Sequence, residues 1–203
     1  MNPLVLVVLL AASAPGQTAA PEAQAGDVLA EIDRVRADPA SAVPDLERMR
    51  GVMRGDLLEL PGRVPIRTEE GAAAVDDAIA ALRAAKPSSP LRPSPGMDAA
   101  AREHADDLGR SGRTGHVGHD GSHASDRLER HGAWEGSSGE AVAFGSGTAR
   151  DVVLQLLVDD GVPGRGHRRL LLDPRYRVAG VACGPHPVYH QVCVIDVAAG
   201  FRE

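Results

Sequence analysis

The residues best suited to chemistry gather in Gly115–His123, GHVGHDGSH, where His116, His119 and His123 stand within eight residues among Gly115, Gly118 and Gly121. Spacings of three and four would place three imidazoles on one helical face. The glycines favour instead a tight, irregular loop in which backbone comes close to another group. Imidazole is the commonest metal ligand and the usual proton shuttle near neutral pH. Two later stretches carry matching groups: Glu140 in SSGEAVAFG, and Asp159, Asp160 and His167 in DDGVPGRGHRRLLL. Folded together, the three stretches form one polar site. Two histidines and two carboxylates suit a divalent cation of the zinc type, held by neutral imidazoles at about 2 Å. The same groups equally suit a hydrogen-bonded network that only holds a cleft in shape.

Other chemistry has weaker support. The chain has no HExxH, which argues against a zincin-like metalloprotease. A serine hydrolase would need a nucleophile. Ser122, Ser137 and Ser138 lie in Gly-rich loops, none within a Gly-x-Ser-x-Gly elbow, and read as turn residues. His119 and His123 read as loop histidines, and His104 as a partly buried or surface residue of a helix. Arg165, Arg168 and Arg169 flank His167. They could meet an anionic ligand, or cap a short helix and pair with Asp159, Asp160 and Asp173.

The elements that must position these groups are legible from periodicity. Gly26–Asp38 predicts a helix with Val28, Ile32 and Val35 on one stripe, stopped by Pro39. A helix around Leu46–Leu60 ends at Pro61, Gly62 and Pro65. Thr68-Glu69-Glu70 reads as the acidic first turn of a helix that runs to Ala85. Lys86–Gly96, with four prolines, is an extended connector. Met97–Leu108 predicts a helix closing near Gly109 and Gly112. Ser122–His131 predicts a short one with Arg127 and Arg130 on its polar side. Ala141–Phe144 is a short apolar piece bounded by glycines. Thr148–Asp160 carries the strongest apolar face, and Asp159, in register with Val152 and Leu156, points inward. A carboxylate there needs a partner. Val178–Cys183 and Val188–Val197 read as a hairpin turning at Gly184-Pro185. Cys183 and Cys193 would cross-link its arms, stabilising by roughly 2–3 kcal/mol; the alternative is two buried thiols.

Composition bounds the class. A chain of 203 residues with 43% hydrophobic content holds one or two domains. All five aromatics lie between Trp134 and Phe201, so the best packed part is expected to be C-terminal. The net charge of −6 opposes a nucleic-acid partner. The run LVLVVLLAASAPG after Met1-Asn-Pro is too short to span a bilayer and suits a signal peptide over residues 1–20. With no second apolar run and two cysteines, a soluble chain outside the cytoplasm is expected, secreted or periplasmic.

Together, TGHVGHDGS, GEAVAFG and VDDGVPGRGHRRLLLDPRYRVAGVACGP, ending in CVIDVAAGF, resemble the CAP superfamily of cysteine-rich secretory, antigen five and pathogenesis-related proteins, most closely its microbial SCP-like extracellular type. LAEIDRVR looks like the family's first helix and PLRPSPGMDAAAREHADDLG its second. The resemblance implies an α+β fold, an α–β–α sandwich, over residues 26–203. Residues 40–90 would be a helical insertion near the N-terminus and 86–96 its Pro-rich connector. It also implies a cleft of two histidines and two acids. His116 matches the first histidine, Glu140 the acid of the Gly-Glu-Asn motif and His167 the second histidine. Asp159, with Asp160 as fallback, falls where the family often has Glu; the motif's Asn is Ala141 here. Two functions follow as expectations. The first is a secreted module binding a divalent metal such as zinc, a small molecule, or a lipid or envelope ligand. The second is a metal-assisted or serine-type hydrolase of envelope or extracellular substrates, with Glu140 as base.

Overall fold

The computed structural model describes residues 21–60, 65–145 and 147–203; the expected signal peptide lies outside them. In chain order the elements are α1 (Pro21–Ala37), α2 (Val43–Gly51), β1 (Met53–Arg54), β2 (Leu57–Leu58), β3 (Ile66–Arg67), α3 (Ala72–Ala84), β4 (Arg92–Pro93), α4 (Pro95–Ser111), α5 (Ala124–Glu129), β5 (Ala133–Phe144), α6 (Ala149–Val158), α7 (Gly166–Leu172), β6 (Val178–His186) and β7 (His190–Arg202). The main sheet has the order β4-β6-β7-β5. It is antiparallel except for the short parallel pairing of β4 with β6.

The period of two along its strands sets the layers. Val178 and Ala182 of β6, and Val192, Val194 and Ala198 of β7, pack with Met97, Ala100, Ala101, Ala105 and Leu108 of α4. The residues between them, Ala179, Val181, Cys183, Cys193, Ile195 and Val197, pack with α1, α3 and α6 on the opposite face. The fold is therefore an α–β–α sandwich of α+β class. Gly180 lets α4 lie close on the sheet: a Cβ there would sit 2.1 Å from the carbonyl carbon of Met97. Asp98 of α4 accepts from the backbone N–H of Val181 at 2.8 Å, fixing the helix along its strand.

Several boundaries differ from the periodicity reading. α4 begins at Pro95, because Ser94 caps it by accepting from Met97 N–H at 3.2 Å, and it closes on left-handed Gly112. The expected helix over Leu46–Leu60 stops at Gly51. Gly55, at φ +63°, turns the chain into the β1–β2 hairpin, and β3 completes a small second sheet. The acidic Thr68–Glu70 turn precedes α3 rather than forming it. The sheet hairpin turns at residues 187–189, three beyond Gly184-Pro185, which stay paired with Val192 and Gln191. Cys183 and Cys193 are direct cross-strand partners and form the disulfide. The largest core cluster is Leu, Val, Ile and Ala from α1, α2, α3 and α6 with the sheet, so packing is not concentrated at the C-terminus. Among the described residues no helix is long and apolar enough to cross a membrane.

Candidate functional site

The four residues matched to the cleft meet at the open edge of the main sheet. β5 is that edge. Glu140 projects from β5 to the α4 face, in phase with Val142 and Phe144, and the histidine loop follows α4 on the same side. His167 starts α7, on the opposite side, where Leu170 packs over Gly139 of β5. The His116 and His167 rings stand 5.9 Å apart between centroids, tilted by 38°.

Each ring is held by its own carboxylate. Nδ1 of His116 lies 2.8 Å from Oε1 of Glu140, and Nδ1 of His167 lies 2.7 Å from Oδ1 of Asp159. A carboxylate only accepts here, so each Nδ1 carries the proton and each Nε2 is the nitrogen left for a ligand. The second oxygen of each acid is also engaged. Oε2 of Glu140 accepts from Nη2 of Arg127 at 2.6 Å. Oδ2 of Asp159 accepts from the backbone N–H of His167 at 2.9 Å and of Arg168 at 3.4 Å, capping α7 from outside its own turn. Asp159 reaches this position because it is left-handed, φ 54°, at the C-cap of α6. Its neighbour Asp160 points elsewhere, accepting from the backbone N–H groups of Glu69 and Glu70.

Two of the arginines around His167 are engaged within the protein. Arg165 pairs with Glu70 and Asp77, and Arg168 pairs with Asp77 while donating to the last carbonyls of α6, Leu157 and Val158. Their ion-pair partners thus come from the 68–77 stretch rather than from the carboxylates of Asp159, Asp160 and Asp173, while Arg165 also donates to the Asp159 carbonyl at 2.9 Å. Buried Arg36 of α1 fixes the far end of α7 by donating to the carbonyls of Leu171 and Asp173.

Behind Glu140 lies a buried cluster that sequence reading missed. Arg127, read as a surface residue of α5, is 2% exposed and also donates to the carbonyls of Ser122 and His116. His104 is fully buried; its Nε2 donates to the Gly115 carbonyl at 2.9 Å and lies 3.8 Å from Glu140. Asp196 of β7, directly opposite Glu140 across the ladder, is fully buried with both carboxylate oxygens unpartnered. Burial pushes the Glu140 carboxyl up, but the His116 hydrogen bond and the cationic side chains nearby outweigh it, so the group titrates below its usual range. Burial and the Glu140 charge push Asp196 well above its usual range, favouring its protonated form. Burial lowers His104, which is neutral. A signal for Asp196 was available: it falls in phase with Val192, Val194 and Ala198.

The donor set available to a metal is narrower than residue types implied. Both carboxylates orient rings instead of facing a shared centre, and among the described residues no three His, Cys, Asp or Glu side chains converge as metal ligands do. The two Nε2 nitrogens are the ring donors that remain. A protein-only zinc site takes three or four side chains. Glu140, with both oxygens bonded and its affinity for protons lowered, is a poor general base.

Three comparisons place the chain. No curated protein matches it. Three solved structures are similar to parts of it. An outer surface protein of Borrelia burgdorferi is 18% identical, with a TM-score of 0.46, over 53% of this chain and 76% of that one. An extracellular protein containing an SCP domain from Bacillus anthracis is 20% identical, with a TM-score of 0.46, over 60% of this chain and 37% of that one. A cysteine-rich secretory protein of Staphylococcus aureus is 12% identical, with a TM-score of 0.35, over 70% of this chain and 44% of that one. The family model described as CAP, the cysteine-rich secretory protein family, matches residues 77–196, more than half of the sequence and all four cleft residues. The chain belongs to the CAP family of cysteine-rich secretory proteins.

Proposed function

We propose that the chain acts outside the cytoplasm as a binding module, with a cleft that takes a divalent cation, or the polar group of a ligand, between His116 and His167. The carrying observation is the pair of rings 5.9 Å apart, each with Nδ1 committed to a buried carboxylate. Carboxylate–histidine pairs of this kind fix the tautomer and raise the basicity of the ligating nitrogen. His116 and His167 would hold the cation, and Glu140 and Asp159 would orient them. A cation there would act as a Lewis acid towards a ligand oxygen. With two protein nitrogens, its hold is weak and exchangeable. The disulfide fits an oxidising compartment, and residues 1–20 would serve as the export signal.

Calorimetric titration of Zn²⁺ into metal-stripped protein, beside a His116→Ala/His167→Ala variant, tests this reading. Saturable one-site binding that disappears in the variant is the expected result. Equal binding by both proteins, or none by the native one, would overturn the cation part.

A further inference from the structure

The loop that joins Asp159 to His167 is held in an unfavourable shape. Asp159 and Arg165 are both left-handed, at φ 54°, although neither is glycine. Aspartate tolerates that region; an arginine keeps it only where its surroundings impose it. The imposing contacts come from the stretch that leads into α3. Oε1 of Glu70 accepts from the backbone N–H of Gly161 at 2.7 Å and from Nη1 of Arg165 at 2.5 Å, and Oε2 accepts from Nη2 of Arg165 at 2.7 Å. In return, the Asp160 carboxylate accepts from the backbone N–H groups of Glu69 and Glu70 at 2.8 and 2.9 Å. Asp77 accepts from Nε of Arg165 at 2.9 Å.

Arg165 passes this hold on to the cleft. Its Nη1 also donates to the Asp159 carbonyl at 2.9 Å, and the Asp159 carboxylate meets Nδ1 of His167. An unbroken series of contacts therefore runs from Glu70 through Arg165 and Asp159 to the ring. The His116 half is held differently, by Arg127 on Glu140. Glu70 also precedes the residues that the family model matches. Its side chain is 37% exposed, and an ion pair at that exposure adds little to global stability. A carboxylate that takes both terminal nitrogens of a guanidinium fixes direction as well as charge, which suits orientation.

We propose that Glu70 and Arg165 are positioning residues for His167. They clamp the 159–165 loop so that Asp159 keeps the Nδ1 of His167 engaged and leaves Nε2 available to the cleft. The consequence for cation affinity rests on the binding reading above; the consequence for the ring does not.

The test compares three variants of the full chain. Glu70→Ala removes the contacts to Gly161 and Arg165, and Glu70→Gln keeps an oxygen for them without the charge. Glu47→Ala is the control, since it breaks an exposed pair with Arg83 between α2 and α3. Nitrogen-detected NMR of the histidine side chains is recorded without metal. In Glu70→Ala the His167 signals are expected to become a mixture of tautomers, while the His116 signals and the urea midpoint stay native. Glu70→Gln should fall between, and Glu47→Ala should match the native protein. Zn²⁺ affinity by calorimetry should drop about tenfold in Glu70→Ala, the lower end of the loss when an orienting partner is removed. Native His167 signals in Glu70→Ala, an equal change at His116, the same change in Glu47→Ala, or an unaltered Zn²⁺ affinity would each overturn the clamp. Absence of Zn²⁺ binding by the native protein would overturn the cation reading instead, and the metal-free His167 signals would still decide the clamp.

Discussion

The two halves of the cleft present the same contact built in two ways. His116–Glu140 and His167–Asp159 are pairs of nearly equal length, 2.8 and 2.7 Å. Glu140 reaches its place through tertiary structure: a sheet edge, an arginine thirteen residues away in sequence and a histidine from α4. Asp159 reaches its place through local backbone: a left-handed cap and two N–H groups of the helix it faces. The first half places a full charge pair inside the protein. The second leans on backbone dipoles. Equal distances therefore conceal unequal energetic roles.

The largest expected effect follows from that inequality. Glu140→Ala leaves Arg127 as an uncompensated buried cation and should cost about 3–5 kcal/mol, read as a lowered urea midpoint. In Glu140→Ala/Arg127→Met the loss should be clearly smaller than the sum of the single variants. Asp159→Asn keeps a residue tolerant of the left-handed cap and removes only charge. It should cost about 1 kcal/mol in the same measurement. Equal losses for the two carboxylates would break the comparison.

Titration sharpens it further. The lowered Glu140 and the lowered, neutral His104 contribute stability present at neutral pH and lost on acidification, His104 beginning below its ordinary value of 6.5 and Glu140 below 4.5. Asp196 runs the other way. Its raised value favours the folded state below the ordinary 3.8, and that advantage is lost as pH rises through the folded-state value. Asp196→Asn should therefore melt higher than the native protein at alkaline pH and converge with it under acid. Parallel melting curves across the range would contradict an Asp196 raised above its ordinary value. The smallest effect belongs to His167→Ala, at a partly exposed side chain. A change within about 0.5 kcal/mol is expected, with ligand binding rather than stability as its readout.

What the sequence made legible divides along the same line. Helices with long apolar stripes and the hairpin strands follow from period alone; period reads Asp159 as a helical position, whereas it lies past the end of α6 and meets His167 through a left-handed backbone. The β5 strand does not, because Gly136, Ser137, Ser138 and Gly139 have no strand propensity of their own. β7 imposes the pairing, with a bulge between Glu135 and Ser138. The cleft histidines and acids were visible as residue types, but their orienting role depends on which nitrogen meets which oxygen. Arg127 was misread for a physical reason: an arginine beside Asp126 and Glu129 on a short helix looks solvated until the Glu140 carboxylate is placed beneath it.

The central claim is that both cleft rings are locked by carboxylates with Nε2 free. Nitrogen-detected NMR of the histidine side chains tests it directly, without added ligand. Protonated Nδ1 and lone-pair Nε2 signals are expected for both His116 and His167 at neutral pH, the two Nε2 signals shifting together on adding Zn²⁺. An Nε2–H tautomer at either ring, or a response of one ring alone, would contradict it.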